Sequence, residues 1–173
     1  MKIAVTGAHR VGKTTLIDKL VESLPEYISH TEPYYELEER GHIFSDIPTQ
    51  EDYQAQLEYS IEQITEAGDN VIFDRCPIDL LAYVQATDEL ENVDIQSLYH
   101  RVQDTMDEID LLVFIPIEEP DVIGCAESDL PELRRQVNEI LSDWVWDFDL
   151  NTVEVTGPLS TRTNQIIQYL SKI

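Results

Sequence analysis

The chain has 173 residues, enough for one well-buried domain and too few for a second of ordinary size. Eleven basic residues stand against 35 acidic ones, a net charge of −24, so most of the surface repels nucleic-acid backbones and anionic membranes. Two cysteines without Cys-x-x-Cys spacing indicate neither a zinc site nor a disulfide framework, and no apolar run approaches the roughly 18 residues of a membrane span.

In chain order, Ile3, Ala4 and Val5 predict a first strand that runs into Gly7-Ala8-His9-Arg10-Val11-Gly12-Lys13-Thr14-Thr15. Gly, four residues, Gly-Lys-Thr is the spacing of a phosphate-binding loop. Its glycines let successive backbone N–H groups point into one concavity, Lys13 reaches the outer phosphates of a nucleoside triphosphate, and the Thr14 hydroxyl holds Mg²⁺. Leu16, Ile17, Leu20, Val21 and Leu24 recur at helical spacing until Pro25 stops them. Residues 26–31 read as a weak second strand, followed by Glu32-Pro33, where the proline biases Glu32 toward an extended backbone. Thr49 caps a long helix whose Tyr53, Leu57, Ile61 and Ile64 form one apolar stripe, ending near Gly68.

Val71, Ile72 and Phe73 predict a buried strand that ends on Asp74-Arg75. Residues 78–84 and 95–109 read as helices, 111–115 as the most apolar strand, and 131–146 as a helix. Residues 152–155 form the last strand, and Ser160 or Thr161 caps a C-terminal helix carrying Ile166, Ile167 and Leu170. Strands alternating with helices imply a parallel sheet covered on both faces, with ligands at the carboxyl ends of its strands. The long irregular stretches, 33–48 and 116–130, have the length of binding loops or lids.

Asp74 is the first acid after a strand that can lie beside the phosphate loop, which suits it to a Mg²⁺ ion. Arg75 adds a phosphate-binding cation at the same strand end. The rival strand 111–115 runs into Pro116-Ile117 and offers no carboxylate there. Arg10, Lys13, Arg75, Arg134 and Arg135 are expected to face one cleft, a local positive funnel in an acidic protein. His9 and Arg10 belong to the loop and read as its exposed decoration. Tyr34, Tyr35, Phe44, Tyr53 and Tyr59 cluster where an acceptor pocket would take a flat ring, with Tyr53 and Tyr59 on different faces of their helix. Trp144 and Trp146 read as packing residues.

These motifs together resemble the P-loop nucleoside and nucleotide kinases. The nearest likeness is to the AAA-type ATP-binding domain of the NadR-like (ribosylnicotinamide) kinases and of uncharacterised bacterial ATP-binding proteins. It is carried by the phosphate loop, Glu32-Pro33, the run from Phe73 through Asp74-Arg75-Cys76-Pro77 to Asp79 and Tyr83, the segment from Pro116 to Asp121, and the helix from Glu132 to Asn138. The resemblance implies a P-loop NTPase fold, a three-layer α/β/α sandwich with a five-stranded parallel sheet of nucleoside/NMP-kinase type. It makes the chain a single domain over 1–173 with a lid near 117–135.

It also implies ATP-dependent phosphoryl transfer with Mg²⁺. Lys13 and Thr14 match the ATP and Mg²⁺ positions, and Arg75 the arginine that binds transferring or acceptor phosphates. Glu32 matches a carboxylate near the acceptor hydroxyl, and Arg134 or Arg135 a lid arginine on the γ-phosphoryl group. Adjacent helical residues point about 100° apart, so one of that pair reaches the phosphates. Arg162 completes the expected nucleotide-binding set. Glu32 or Asp74 would orient or deprotonate the acceptor.

An Arg-rich lid of the adenylate-kinase type is missing, and Arg40 is the one basic residue between 33 and 48. The acceptor is therefore expected to be a small uncharged or zwitterionic hydroxyl compound, nucleoside-like, and not a nucleoside monophosphate. The expected setting is cytoplasmic, with no nucleic-acid or membrane partner and with a homodimer as the candidate assembly. The alternative function is an ATP-binding switch with slow hydrolysis, read by a protein partner.

Overall fold

The computed structural model describes residues 1–87 and 94–172. Five strands form one all-parallel sheet in the order β2-β3-β1-β4-β5. They are β1 (Lys2–Thr6), β2 (Ile28–His30), β3 (Val71–Asp74), β4 (Leu111–Phe114) and β5 (Thr152–Glu154). Every residue of β3 and β4 is buried, although successive side chains point to opposite faces. Both faces of the sheet are therefore covered, which is why these strands are continuous apolar runs. The edge strands β2 and β5 are short and partly exposed.

Around the sheet lie α1 (Lys13–Ser23), α2 (Pro33–Glu39), α3 (Gln50–Glu66), α4 (Pro77–Ala86), α5 (Ile95–Met106), α6 (Pro131–Trp144) and α7 (Leu159–Leu170). Helix α1 packs on α7, and α4 packs on α3, α5 and α6. Thr49 caps α3 through a reciprocal pair with Asp52, as its sequence predicts.

Three expectations change. Residues 33–39 of the predicted irregular stretch are α2: Pro33 occupies the first helical position, where its missing N–H costs nothing, and the extended backbone it imposes on Glu32 is what a residue preceding a helix needs. Helix α7 begins at Leu159 after Pro158, ahead of the predicted Ser160 or Thr161 cap. Trp144 packs edge-on against Tyr99, but Trp146, two residues past the end of α6, is 55% exposed and is no packing residue.

Sheet order fixes the position of the chemistry. β1 is central, flanked by β3 and β4, so the loop leaving β1 and the turn leaving β3 open side by side at the carboxyl edge. Val5 pairs with Asp74, and the Arg75 N–H donates to the Val5 carbonyl at 3.1 Å.

Candidate active site

Gly7 opens the phosphate loop where the backbone passes against β4: a Cβ there would sit 2.5 Å from the Ile115 carbonyl oxygen, so no other residue fits. Gly12 closes the loop at φ +89°, in the left-handed region, and turns the chain into α1. The buried Lys13 ammonium lies back along the loop, donating to the carbonyls of Gly7 at 3.0 Å and Ala8 at 2.9 Å. Burial, reinforced by the nearby Arg75 charge, lowers its pKa from 10.5 to about 8.

The Thr14 hydroxyl donates to Asp74 Oδ2 at 2.6 Å, and Asp74 Oδ1 is buried without a partner. Burial pushes the Asp74 carboxyl up, against the pull of Lys13 and the Thr14 bond. A hydroxyl and a carboxylate oxygen with unsatisfied capacity are the hard donors that Mg²⁺ takes alongside phosphate oxygens. No cluster of three His, Cys, Asp or Glu suited to a metal exists among the described residues.

Arg75 sits at φ +73° directly after Asp74 and is buried. Its Nε donates to Glu32 Oε1 at 2.5 Å, its guanidinium lies 5.1 Å from the centre of the Tyr83 ring, and its Nη1 has no hydrogen-bond partner. Burial alone would raise the Glu32 carboxyl. The Arg75 and Lys13 charges and the Arg75 hydrogen bond outweigh it and hold Glu32 below the ordinary carboxylate value.

Asp79 ties this strand end to the loop. Fully buried in the first turn of α4, it accepts the Gly7 N–H at 2.9 Å through Oδ1 and the Cys76 N–H at 3.0 Å through Oδ2, and Arg75 Nη1 is 3.8 Å away. Asp79 is a functional residue to which the sequence motifs alone assign no role. The signal was there, since an acid three residues after the position preceding a helix is a capping pattern.

A cavity of about 410 Å³ opens beside these groups. His9, Arg10, Glu32 and Arg75 line it together with Tyr34, Phe44, Tyr53, Tyr83, Asp46, Asp52 and Gln56. Tyr34 and Phe44 stack at 4.4 Å, Tyr53 and Tyr83 at 4.8 Å. Tyr59 faces elsewhere, with its hydroxyl on Arg40, as helical spacing required. Tyr35 is exposed and does not line the cavity.

Of the five cations expected in one cleft, Arg10 and Arg75 line the cavity, Lys13 lies along the loop, Arg134 borders a separate narrow cleft with Arg10, and Arg135 faces away. On α6, Arg134 shares a stripe with the buried Val137 and Leu141 and is itself buried, while Arg135 points outward to Glu132 and Glu139. Arg134 donates to the His9 carbonyl at 2.8 Å, the Arg10 carbonyl at 3.0 Å and Asp121 at 2.6 Å. Arg162 reaches the loop from α7, donating to the Val11 carbonyl at 2.7 Å and the Gly157 carbonyl at 2.8 Å, with Glu118 at 3.4 Å.

His9 is not loop decoration. Its N–H donates to the Tyr83 hydroxyl at 2.9 Å, which leaves that hydroxyl to donate to Nδ1 at 2.7 Å and places the ring proton on Nε2, 2.5 Å from the Asp129 carbonyl. Burial lowers the His9 pKa from 6.5 to about 4, so the ring is neutral at pH 7. Ala8 and Val11 are buried loop residues, whereas Thr15 is exposed on α1.

The AAA domain family matches residues 2–162, nearly the whole chain. The chain belongs to this family. No curated protein matches the sequence significantly. Among solved structures, this AAA domain is similar to deoxyadenosine kinase from M. mycoides with products dCMP and a flexible dCDP bound, at 21% identity and TM-score 0.71 over 100% of both chains. It is similar to the NadR protein in complex with NR at 22% identity and TM-score 0.70, over 99% of this chain and 50% of that one. Shikimate kinase from Aquifex aeolicus follows at 16% identity and TM-score 0.61, over 99% and 97%. These likenesses establish the fold, the P-loop α/β/α sandwich expected above. No described helix is long and apolar enough to cross a membrane.

Proposed function

We propose that the chain is an ATP-dependent kinase that transfers the γ-phosphoryl group to a hydroxyl of a small nucleoside-like acceptor. The observation that carries this reading is the meeting of phosphate loop and aromatic cavity at Glu32 and Arg75. A nucleotide switch needs the loop and Asp74 alone; a cavity lined by a carboxylate and shared with loop residues suits a second substrate. Two of the structural neighbours described above are kinases by name, one for a deoxynucleoside and one for shikimate, so the shared fold leaves the acceptor open.

Lys13 would leave the Gly7 and Ala8 carbonyls for the β- and γ-phosphates, and the loop N–H groups would receive the rest of the triphosphate. Thr14 and Asp74 would hold Mg²⁺, which when bound neutralises phosphate charge. Asp74 is engaged with Thr14, so orienting the acceptor hydroxyl falls to Glu32, which lines the cavity. Its low pKa keeps it ionised, ready to accept the hydroxyl hydrogen as transfer proceeds. Arg75 steadies Glu32 and has a free donor for an acceptor or transferring oxygen.

The cavity carries Glu32, Asp46, Asp52 and Asp129 against Arg10 and Arg75. That balance opposes a monophosphate and favours an uncharged or zwitterionic acceptor with a flat ring between the tyrosines. The test is ADP release from ATP and Mg²⁺ with nucleosides, ribosylnicotinamide, nucleoside monophosphates and small alcohols. At least one uncharged or zwitterionic compound should raise the rate well above background, and Glu32→Gln should lower the stimulated rate roughly a hundredfold while sparing basal hydrolysis. If no acceptor stimulates the protein and a partner protein does, the switch replaces the kinase.

A further inference from the structure

Phosphoryl transfer needs a cation on the γ-phosphoryl oxygens as the bond to the β-phosphate loosens. Most arginines near the loop are committed elsewhere. Arg134 has its Nε, Nη1 and Nη2 on two loop carbonyls and Asp121. Arg162 is held between Val11, Gly157 and Glu118. Arg75 is bound to Glu32 under the Tyr83 ring, and its one unpaired donor, Nη1, is buried. Arg135 faces solvent on the far side of α6.

Arg10 differs from all of them. Its side chain is 54% exposed and makes one ion pair, Nη2 to Asp129 Oδ2 at 2.7 Å. An exposed pair of that kind is weakly held and readily exchanged for a better anion. The residue lies inside the loop, two positions before Gly12, and lines both the acceptor cavity and a narrow cleft bounded by Ile117, Ile123 and Arg162. It is therefore shared by the linings of the two clefts that meet at the loop. Its backbone is at φ +58°, a left-handed position in which glycine fits without strain and arginine does not. The conformation is fixed by Arg134 gripping the Arg10 carbonyl.

We propose that Arg10 is a catalytic arginine supplied by the phosphate loop itself, which exchanges Asp129 for the γ-phosphoryl oxygens. In the step it serves, the bond from the γ-phosphorus to the bridging oxygen breaks with its electron pair going to ADP. A bond forms to the acceptor oxygen, whose proton passes to Glu32. Arg10 neutralises charge on the oxygens between the two partial bonds. Arg134 becomes a positioning residue that holds the loop backbone, and Asp129 holds the Arg10 side chain beside the cavity until nucleotide is present.

The inference rests on the kinase reading for its acceptor, so its test includes a measurement without one. Affinities for ATP and for ADP with aluminium fluoride, a mimic of the transferring group, are measured with Mg²⁺ for the full chain and for Arg10→Ala, Arg10→Lys, Asp129→Ala and the outward-facing Arg135→Ala, with acceptor-stimulated and basal turnover alongside. Arg10→Ala should bind ATP within about threefold of the parent, lose its preference for the mimic and fall roughly a hundredfold or more in kcat. Arg10→Lys should recover part of both, and Arg135→Ala neither loss. Asp129→Ala separates catalysis from latching: if Arg10 only fastens the lid, removing its partner should cost as much as removing Arg10. Equal losses in those two variants, or mimic affinity unchanged in a folded Arg10→Ala protein, overturns the assignment. Lost mimic affinity in Arg10→Ala from a parent that phosphorylates no acceptor keeps Arg10 and removes the kinase.

Discussion

Replacing Asp79 tests how the phosphate loop is held in place. Its carboxylate accepts the Gly7 N–H at 2.9 Å and the Cys76 N–H at 3.0 Å in full burial, and lies 3.8 Å from Arg75. Asp79→Ala leaves two buried donors unsatisfied, at about 1–3 kcal/mol each, and removes a carboxylate near a buried guanidinium. A loss of about 3–5 kcal/mol is expected, a large part of the roughly 5–15 kcal/mol that holds a domain together. Asp79→Asn keeps one acceptor and turns an amide N–H toward the other donor, so it should fall about midway. With a urea dependence of about 2–3 kcal/mol per molar, the alanine variant should unfold at a midpoint about 1–2 M lower. Urea titration by circular dichroism reads the shift, with the exposed Asp18→Ala as reference. Where Asp79→Ala folds, its ATP affinity should also fall, because Gly7 is the first residue of the loop. A midpoint matching that of Asp18→Ala would refute the reasoning.

The phosphate loop was legible because its chemistry is contiguous: nine residues, a strand before and a helix after. Asp74 was legible for a similar reason, being the first polar residue after a buried run. The choice between Arg134 and Arg135 was also within reach, since Arg134, Val137 and Leu141 lie on one helical stripe and Arg135 does not. Helix α2 was not legible: its seven residues, mostly acidic and aromatic, carry no apolar periodicity, and Pro33 reads as a loop residue unless its place at a helix start is recognised. The contacts of His9 and Arg134 were beyond sequence. They join residues more than a hundred positions apart, through a strand order in which β1 lies between β3 and β4. Local spacing says which side chains share a face of one element, and sheet order says which elements meet.

The remaining predictions concern charge. Arg134→Ala should lower ATP affinity and melting temperature together, because it frees two loop carbonyls and leaves Asp121 without its partner, whereas Arg135→Ala should stay within about 0.5 kcal/mol of the parent in urea titration. Asp74→Asn should cut turnover far more than ATP affinity measured by calorimetry; a loss of folding cooperativity with turnover per folded molecule unchanged would make Asp74 structural. For His9, burial holds the folded pKa at about 4, below the ordinary 6.5, so the unfolded chain binds the extra proton between those values. Its contribution to stability is complete above about pH 6.5 and declines as pH falls toward 4, and His9→Gln should flatten that part of the stability profile. Lys13 gives the last test, and its sign runs against the usual lysine. Burial brings its folded pKa to about 8 from 10.5, so in the free protein between those values the unfolded chain carries the proton and stability gains with rising pH. ATP reverses the preference, because a triphosphate beside the ammonium favours its charged form. At pH 9 binding should therefore take up close to one proton, seen as a calorimetric enthalpy that varies with the ionisation heat of the buffer, and affinity should fall about tenfold per pH unit above 8. Proton uptake equal at pH 7 and pH 9 would mean that Lys13 keeps its charge in the free loop and that burial has been offset by the carboxylates of Glu32, Asp79 and Asp74.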